Sequence, residues 1–565
     1  MEDTAKKFCS ILFDVLLNKG VRNMVCSPGS RNLPLLLAAS SRPLIKKHFI
    51  VDERSAAFYG LGISMVSQEP VALLCTSGTA LLNYAPAIAE AYYQSIPLIV
   101  VSADRPVQWV DQDDSQTLHQ DGALDNFVKK SYSIPALGDN DIEMQWYVNR
   151  IANDAVLTAC SGKPGPVHIN IHLSEPLNLK APKSTLQPRI INEIIGDSIA
   201  NKEIIKDLAS QLSKSKVMLV AGFAPPDSYI QKVITDFSSF PNVVIMAETV
   251  SNLHLNEMDY SVDSIFSAFD VSILDDLCPD IVISLGGALV SRKLKEYLRR
   301  NSKKFVHWSI GYQNTTSDPF MSLSLKIEVE VSRFFRKINA NIKKIGIEGI
   351  TTNYKEVWEE KRKKACTLKD KFISQCNWSE IKAFDLLLKN IPRDCNLIFS
   401  NGTPIRYAQI INYKLPHASF CNRGVSGIDG CISTAIGASV RYKGSTLLIT
   451  GDLSFSYDIG ALGIREIPDR FKIIVIDNQG GGIFRFIPST SNLEEREEYL
   501  CQSPLLPLRQ LAEGYGWYYL EASNQESFEN ALPLFFRKKE KTIFKITCNG
   551  IESAELLKEY MKLKL

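Results

Sequence analysis

A carboxylate and an amide side chain follow two apolar runs in the last quarter of the sequence. The run Thr446–Thr450 leads to Asp452, and the run Phe471–Ile476 leads to Asn478 and then to three glycines. Each run has the length of a buried strand, and the interval between them has room for a helix, which is typical of parallel strands. Asp452 and Asn478 are therefore predicted to lie at the carboxyl ends of two strands, where open α/β sheets bind their ligands.

These residue types form a set of oxygen ligands: one carboxylate, one amide oxygen and the carbonyls of a glycine-rich turn. Such a set suits Mg²⁺ or Ca²⁺ bound to a diphosphate, whereas zinc prefers nitrogen and sulfur ligands. Asp, Asn and Gly are also ordinary turn residues at strand ends. A purely structural role therefore explains the pattern equally well when it is considered alone.

Four polar or glycine-rich motifs follow apolar runs near the amino terminus. They are CSPGSRN at Cys26–Asn32, VDERSAAFYGLG at Val51–Gly62, TSGTA at Thr76–Ala80 and SADRP at Ser102–Pro106. Because each motif follows a predicted strand, all four are expected at one edge of one sheet. Glu53, in the second motif, begins a helical stretch, so a carboxylate favoured by the helix dipole is the structural alternative to a chemical role.

The alternation of strand and helix predicts an α/β fold with three doubly wound parallel-sheet domains, at residues 1–180, 190–340 and 375–565. The predicted strands are Met24–Cys26, Phe49–Val51, Val71–Cys75, Leu98–Ser102 and Pro166–Ile171, then Val217–Ala221, Val243–Met246 and Ile281–Leu285, then Leu397–Phe399, Ser419–Cys421, Thr446–Thr450, Phe471–Ile476 and Ile543–Thr547. The other predicted elements are helices at Ala56–Val66 and Asn83–Gln94, an extended linker at Leu177–Ile191 and a solvated lysine-rich helix within Ile338–Lys371.

The composition is that of an ordinary globular protein. Of 565 residues, 45% are hydrophobic and 22% are charged, and the net charge of +2 gives no reason to expect binding to nucleic acid or to a membrane surface. No apolar run approaches the ~18 residues of a membrane span, and the acidic start of the chain does not resemble a signal peptide. The twelve cysteines form no CxxC pair and are expected to be reduced thiols in a cytoplasmic enzyme.

Motifs at both ends of the chain resemble those of one enzyme family. GDL at Gly451–Leu453 and NQGGG at Asn478–Gly482 resemble the GDG…NN signature of thiamine diphosphate enzymes. With SPGSR, DER, TSGTA, ADRP, NRGVSGIDG and GGGIF in this order, nearly the whole chain is similar to the 2-succinyl-5-enolpyruvyl-6-hydroxy-3-cyclohexene-1-carboxylate synthase family. The resemblance implies three α/β domains of the thiamine diphosphate enzyme type: a pyrimidine-binding, a central and a diphosphate-binding domain.

The resemblance also implies a transferase reaction of menaquinone biosynthesis. Thiamine diphosphate, held through Mg²⁺ or Mn²⁺, would supply the electron sink for decarboxylation of 2-oxoglutarate. The remaining succinic semialdehyde unit would then undergo 1,4-addition to isochorismate. In the family, the glutamate comes from one subunit and the metal site from the other, so a homodimer or a dimer of dimers is expected.

By position in the motifs, the resemblance assigns residues to the cofactor and the metal. Glu53 would exchange a proton with the aminopyrimidine, a task that suits a buried carboxylate. Asp452, Asn478 and the carbonyl of Gly480 would bind the metal, and the bulky Ile428 would hold the cofactor bent so that its reacting atoms meet. Cofactor contacts are assigned to Ser77, Gly78, Thr79, Ser426, Gly427, Ile428, Asp452, Leu453, Ser454, Asn478 and Ile483, although Leu453 stands where many relatives have glycine.

Both implied substrates are dianions, and arginine binds a carboxylate through two parallel hydrogen bonds. Arg406 and Arg423 match the residues that bind the carboxylate derived from 2-oxoglutarate. The isochorismate side is assigned to Ser30, Arg31, Arg105, Ser115 and Gln116. The apolar wall beside the substrate ring is assigned to Ile483, Phe484 and Ile487.

Three positions depart from the family pattern. Arg292 and Lys293 match a basic pair in reversed order, which leaves open which of them faces the substrate. Gly402 stands where relatives often have a substrate-binding serine, and Ser115 stands where some have asparagine. His119 is expected to be a hydrogen-bonded structural group rather than a general base.

Two other classes of protein compete with this interpretation. An acetolactate synthase-like carboligase is the alternative enzyme, although pyruvate has no distal carboxylate for the arginines to bind. A nucleotide-binding regulatory module on the same scaffold is the non-catalytic alternative, and the presence of Glu53, Asp452 and Asn478 argues against it. A dinucleotide oxidoreductase fits less well, because no GxGxxG follows the first predicted strand.

Overall fold

The computed structural model describes residues 7–136, 142–175, 177, 188–194, 201–255, 262–313, 315–347, 353–411 and 418–565. Its strands form three sheets, and the strand pairs whose register is described are all parallel. The predicted α/β class with three parallel sheets is therefore confirmed. Most of the predicted linker at Leu177–Ile191 lies outside the described residues.

The strands divide among the sheets in chain order. The amino-terminal sheet contains β1 to β6, at Asn23–Cys26, Lys46–Phe49, Val71–Cys75, Leu98–Asp104, Ser131–Ile134 and Val167–His172. The central sheet contains β7 to β11, at Val217–Ala221, Val243–Ala247, Ile281–Leu285, Val306–Ile310 and Leu323–Ile327. The carboxy-terminal sheet contains β12 to β17, at Cys395–Phe399, Ser419–Cys421, Ser445–Gly451, Phe471–Asp477, Tyr518–Ala522 and Thr542–Thr547.

Helices connect the strands of each sheet. Helices α1 to α5 are Lys7–Asn18, Leu33–Ser40, Glu53–Ser67, Thr79–Gln94 and Ile142–Cys160. Helices α6 to α12 are Lys202–Ser213, Ser228–Ser238, Val262–Ala268, Val271–Asp275, Arg292–Arg300, Val331–Ile345 and Tyr354–Gln375. Helices α13 to α20 are Glu380–Lys389, Thr403–Ile411, Cys431–Ser439, Asp452–Tyr457, Arg496–Tyr499, Leu508–Gly514, Gln525–Arg537 and Gly550–Lys562. No described helix is long and apolar enough to cross a membrane.

The first and third sheets have the same topology. Their strand orders are β2-β1-β3-β4-β6-β5 and β13-β12-β14-β15-β17-β16, while the central sheet has the order β11-β10-β9-β7-β8. The order reverses between β1 and β3 and again between β12 and β14, and such switch points form a crevice at the carboxyl ends of the strands. The register pairs Cys26 with Leu74, so the loops after β1 and β3 leave the sheet side by side.

The chain divides into two compact units. Unit 1 comprises Met1–Ile195, Asn422–Thr446 and Tyr457–Phe471, and it contains the amino-terminal sheet. Unit 2 comprises Gly196–Cys421, Leu447–Ser456 and Lys472–Leu565, and it contains the central sheet and most of the carboxy-terminal sheet. Helix α15 thus belongs to unit 1, although it follows the second strand of the third sheet.

Glycines allow two helices of unit 1 to touch backbone to backbone. A Cβ at Gly62 of α3 would lie 1.9 Å from the carbonyl oxygen of Thr434 in α15. A Cβ at Gly437 of α15 would lie 2.0 Å from the carbonyl oxygen of Tyr59. Real side chains do not approach this closely, so only glycine fits at both positions. The contact fixes α3, which begins with Glu53, against α15.

The prediction of a strand at Phe49–Val51 is wrong, because β2 ends at Phe49 and begins at Lys46. This strand lies at the edge of its sheet, and His48 is the only one of its four residues that is buried. Lysines at an edge strand discourage pairing with other chains, and they also hide the strand from a search for apolar runs. Strands β5, β10, β11 and β16 were not predicted at all. Three of them, β5, β11 and β16, are outermost strands, β10 is next to an edge, and all four contain polar residues.

Candidate active site

Asp452 follows β14 and begins α16. Its side chain is buried, and its two carboxylate oxygens accept the backbone N–H groups of Leu453 at 2.8 Å and of Gly480 at 2.7 Å. Burial raises the pKa of this carboxyl group to about 6, because loss of water disfavours the charged form. A bound cation would favour the ionised form again. The Gly480 contact brings together the loops that follow β14 and β15, which carry the predicted metal ligands.

Asn478 follows β15 and is 3% exposed. Its Nδ2 donates to Oε1 of Glu380 at 3.0 Å, whereas its Oδ1 has no hydrogen-bond partner among the described residues. A buried amide oxygen without a partner costs free energy unless a ligand satisfies it. This oxygen is therefore available to a cation.

The turn after Asn478 is held in one conformation by glycine and by Arg485. Gly480 has a φ of 76°, and a Cβ there would lie 2.2 Å from the carbonyl oxygen of Gln502. Arg485 donates from Nη1 to the carbonyl oxygen of Asn478 at 2.9 Å and from Nη2 to that of Gln479 at 3.3 Å. The main chain beside the candidate metal ligands is thus anchored independently of their side chains.

These residues fit a divalent cation that carries a phosphate group. Asp452 offers a carboxylate, Asn478 an amide oxygen and Gly480 a backbone carbonyl, which form the hard oxygen set preferred by Mg²⁺ and Mn²⁺. Among the described residues, there is no cluster of three or more His, Cys, Asp or Glu side chains that could hold a metal ion. The donor set therefore differs from that of a zinc site.

Glu53 is the first residue of α3 and is half-buried. Asp52 caps the helix by accepting the N–H of Ser55 at 3.1 Å. Burial and the nearby charge of Glu53 both raise the pKa of Cys75. Because Cys75 is the last residue of β3, Glu53 lies near the carboxyl end of that strand, at the switch point of the first sheet.

The helix that begins with Glu53 also contacts the segment that carries predicted cofactor residues 426–428. A Cβ at Gly430, which immediately precedes α15, would lie 2.1 Å from the ring of Phe58 in α3. Ser426, at the start of this segment, has a φ of 68°. Unit 1 therefore brings α3 and the segment before α15 together within one chain.

Two predicted substrate arginines lie close together in unit 1. Arg31 is buried and donates to the carbonyl oxygen of Leu173 at 3.0 Å. Burial, and after it the charge of Arg105, lower the pKa of Arg31. Arg105 donates to the carbonyl oxygen of Ser115 at 3.0 and 2.8 Å and pairs with Asp114 at 2.8 Å. Two neighbouring guanidinium groups suit a ligand with negative charge.

Gln120 connects the loop after Arg105 to the TSGTA motif. Its Oε1 accepts the backbone N–H of Gly78 at 2.8 Å, and its Nε2 donates to the carbonyl oxygen of Ala103 at 3.2 Å. Gly78 has a φ of 85°, and a Cβ there would lie 3.3 Å from Cα of Gln116. The predicted substrate residue Gln116 and the predicted cofactor residue Gly78 are therefore neighbours.

A buried carboxylate holds the NRGVSG loop, which carries Arg423 and Ser426. Glu90 of α4 is 3% exposed and accepts the backbone N–H groups of Gly424 at 2.6 Å and of Val425 at 2.7 Å. Successive backbone N–H groups of this kind form an anion-binding concavity, and here the anion is a side chain of the protein. The conformation of the loop therefore depends on Glu90.

The two residues of the reversed basic pair on α10 have different environments. Arg292 is exposed and forms an ion pair with Glu296 at 2.6 Å. Lys293 instead donates to Oγ of Ser267 at 2.8 Å and to the carbonyl oxygen of Met561 at 3.3 Å. Burial lowers the pKa of Lys293 to about 8. Lys293 is thus the inward-facing member of the pair.

The other predicted site residues differ in exposure. Gly402 has a φ of 92°, a conformation that serine rarely adopts, which explains glycine at this position. Ile483 and Ile487 pack against the hydrophobic core of the carboxy-terminal sheet. The buried or half-buried residues of the predicted set also include Ser77, Arg406, Arg423, Gly427, Ile428, Leu453, Ser454 and Phe484. Those that are exposed are Ser30, Thr79, Ser115 and Gln116.

His119 lies on the surface rather than in a crevice. Its side chain is 77% exposed and its Nε2 lies 2.9 Å from a carboxylate oxygen of Asp111. The exposed pairing agrees with the expectation of a hydrogen-bonded structural group.

Sequence analysis missed three buried polar residues that organise these loops: Glu90, Gln120 and Glu380. None of them belongs to a recognised motif. The available signal was weak: Glu90 is the single acidic residue of PAIAEAYY, whereas Glu380 in WSEIKAFDLL shares its segment with Lys382 and Asp385. An isolated acid of this kind within an apolar helix is a reason to look for a buried partner.

Comparison with a family model gives one match. The model "Thiamine pyrophosphate enzyme, N-terminal TPP binding domain" matches residues 6–124. The matched range contains Glu53, the TSGTA motif, Arg31 and Arg105. It thus covers the loops of the first sheet that gather at its switch point.

Curated relatives are similar to the chain over nearly its full length. Three of them carry the name 2-succinyl-5-enolpyruvyl-6-hydroxy-3-cyclohexene-1-carboxylate synthase. The protein of Porphyromonas gingivalis is 40% identical, and the match covers 98% of this chain and 96% of the relative. Those of Flavobacterium johnsoniae and Bacteroides thetaiotaomicron are 36% and 32% identical, with 98% of each chain covered. The similarity therefore extends through all three sheets and both units.

Proposed function

The chain belongs to the 2-succinyl-5-enolpyruvyl-6-hydroxy-3-cyclohexene-1-carboxylate synthase family of thiamine diphosphate enzymes, and on this basis we propose that it forms that product from 2-oxoglutarate and isochorismate in menaquinone biosynthesis. The observation that carries the proposal is the buried oxygen set after β14 and β15, in which Oδ1 of Asn478 has no protein partner among the described residues. Full-length similarity supports the same activity.

The proposed metal site consists of Asp452, Asn478 and the carbonyl of Gly480. These residues would bind Mg²⁺ or Mn²⁺ and, through it, the diphosphate of the cofactor. Thiamine diphosphate supplies an electron sink for decarboxylation when it is bound. Ser454 on the first turn of α16 supports the site, because a helix N-terminus favours a phosphate group. In this assignment residues 375–565 form the diphosphate-binding domain.

Glu53 is the proposed acid–base residue. Its carboxylate would hold a proton and exchange it with the ring nitrogen of the aminopyrimidine, which general acid–base catalysis requires to be within hydrogen-bond reach. The half-buried position of Glu53 near the carboxyl end of β3 supports this role. Residues 1–180 would then form the pyrimidine-binding domain, and residues 190–340 would form the central domain.

Cationic side chains are proposed to bind the carboxylates of the substrates. Arg31 and Arg105 are proposed for isochorismate, since the two guanidinium groups are close enough to influence each other. Arg406 and Arg423 are proposed for 2-oxoglutarate. Lys293 is the better candidate of the basic pair, because Arg292 is exposed and already paired with Glu296.

A second copy of the chain is proposed to complete the enzyme, as a homodimer or as a dimer of dimers. Unit 1 exposes large apolar side chains near the candidate loops: Phe49 at 59%, Val51 at 80%, Val107 at 71% and Trp109 at 53%. Exposed apolar groups of this size are typical of surfaces that bind another protein. The twelve free cysteines support a reducing compartment, and the cytoplasm is the proposed location.

Complementation between two inactive variants tests whether Glu53 of one subunit acts on the cofactor that is held at the metal site of another. When Glu53→Gln and Asp452→Ala proteins are mixed and allowed to exchange subunits, we expect activity to recover to about a quarter of the wild-type value. Half of the dimers would be hybrids, and one of the two sites in each hybrid would have both groups intact. Each variant alone is the control, and absence of recovery after demonstrated exchange would contradict the shared site.

Turnover with defined substrates tests the proposed activity. The chain is expected to release CO₂ from 2-oxoglutarate and to consume isochorismate only when both thiamine diphosphate and Mg²⁺ are present, and pyruvate is expected to be inactive. Pyruvate lacks the distal carboxylate that Arg406 and Arg423 are proposed to bind. Decarboxylation of pyruvate without use of 2-oxoglutarate would instead indicate an acetolactate synthase-like enzyme.

A further inference from the structure

Glu380 is a buried carboxylate directly beside the proposed metal site. It is the first residue of α13 and is 2% exposed. Its backbone N–H donates to Oγ of Ser553 at 3.0 Å, and its Oε1 accepts Nδ2 of Asn478 at 3.0 Å. Glu380 therefore connects the start of α13 with α20 and with the loop after β15.

An amide side chain has two ends of nearly equal shape, and only its hydrogen bonds determine which end points where. Glu380 accepts a hydrogen bond, so it selects the NH₂ end of Asn478 and leaves Oδ1 to face the other way. That oxygen is buried without a partner among the described residues. The arrangement gives the Asn478 amide one orientation, and in this orientation its unpartnered Oδ1 is a potential metal ligand.

We infer that Glu380 is a positioning residue for the metal site: it orients the amide of Asn478 so that Oδ1 binds the divalent cation. The inference rests on the proposed function, because it assumes that Mg²⁺ binds at Asp452 and Asn478. In this proposal Glu380 acts through the hydrogen bond from Nδ2 of Asn478 to its Oε1 and is not itself a metal ligand. Acceptors that orient the ligands of a metal in this way commonly change its affinity about 10–100-fold when they are lost.

The turn that carries Asn478 has a main-chain anchor that does not involve Glu380, so the orienting role of Glu380 can be distinguished from a role in stabilising the fold. Arg485 anchors the main chain of Asn478 and Gln479 through two hydrogen bonds, and Arg485 is in turn paired with Glu497 at 2.9 Å. Loss of the Glu380 carboxylate therefore leaves the backbone of the turn in place. Without that carboxylate the Asn478 amide is free to rotate, and this lowers the affinity for the metal more than it lowers the stability of the fold.

The test compares Glu380→Met with Glu380→Gln in the full-length protein. Methionine fills a similar volume but accepts no strong hydrogen bond, whereas glutamine retains Oε1 as an acceptor for Nδ2 of Asn478. Thiamine diphosphate binding is measured by calorimetry over a series of Mg²⁺ concentrations. We expect the Mg²⁺ concentration needed for half-maximal binding to rise about 10–100-fold in Glu380→Met and to stay within about threefold in Glu380→Gln.

Asp385→Asn is the matched control, because Asp385 is a second buried acid on α13 but pairs with Lys389 at 2.8 Å. This variant is expected to bind Mg²⁺ and thiamine diphosphate as the wild type does.

A Glu380→Met protein with wild-type Mg²⁺ dependence would overturn the inference while the proposed function stands. If Met is not tolerated, Glu380→Asp withdraws the carboxylate by one methylene and is expected to weaken Mg²⁺ binding in the same way. Wild-type protein that binds no thiamine diphosphate at any Mg²⁺ concentration would overturn the proposed function, and the inference with it.

Discussion

Glu53→Gln is expected to lower kcat by about 10²–10⁴-fold while thiamine diphosphate binding stays near the wild-type level. The magnitude is that of a general acid–base group removed from a reacting proton. Glutamine keeps the size of the side chain and its position on the first turn of α3, but it cannot exchange a proton with the aminopyrimidine. The metal and diphosphate contacts, proposed for Asp452 and Asn478, are unaffected by this change.

Steady-state turnover and calorimetric binding, measured on the same preparation, separate the two effects of Glu53→Gln. The control is Glu69→Gln, which neutralises an exposed glutamate just beyond the other end of α3, where it pairs with Arg441 at 3.3 Å. This control is expected to keep wild-type kcat and binding. If Glu53→Gln retained kcat within about threefold, far less than an acid–base group contributes, the proton exchange would have to be assigned to another residue.

Asp452→Asn is expected to weaken Mg²⁺-dependent binding of thiamine diphosphate by at least about 100-fold. The change removes the only carboxylate of the proposed ligand set and so the charge that balances the cation. A direct ligand should cost more than the 10–100-fold loss typical of groups that only orient a ligand. Activity is expected to disappear with binding, in contrast to Glu53→Gln, which separates binding from turnover.

Calorimetry with and without Mg²⁺ measures this effect, and chelation of Mg²⁺ from the wild type should reproduce it. Asp477→Asn is the matched control, since Asp477 adjoins Asn478 but pairs with Lys545 at 2.8 Å. Binding to Asp477→Asn is expected to stay within about threefold of the wild type, well short of the loss of a metal ligand. Wild-type affinity in Asp452→Asn would remove Asp452 from the metal site.

The fold class followed from the sequence because most strands of a parallel sheet are buried on both faces. Runs such as Val71–Cys75 and Phe471–Ile476 are almost wholly apolar and were predicted within one residue of their bounds. Strands at or near the edges, such as β2 and β16, carry lysines or exposed tyrosines and glutamate, and the prediction shifted or missed them. Edge strands lack the apolar signal because solvent reaches them.

The candidate site was predicted where it lies in motifs and not where it depends on long-range contacts. Asp452 and Asn478 were expected at neighbouring strand ends, and the 2.7 Å contact from Gly480 to Asp452 brings those two loops together. Glu380, by contrast, is 98 positions from Asn478. A hydrogen bond between such distant positions leaves no spacing in the sequence, so only the folded chain reveals it.

The close contact between Gly62 of α3 and the carbonyl oxygen of Thr434 in α15 affects the site although neither residue is proposed to bind the cofactor. Even the methyl group of an alanine at Gly62 would push the axes of α3 and α15 apart. Glu53, the first residue of α3, would be displaced with its helix. Misplacement of a reacting group by about 1 Å can cost roughly 10² in rate. The close backbone contact at Gly62 therefore fixes the position of the helix that carries Glu53, the proposed acid–base residue.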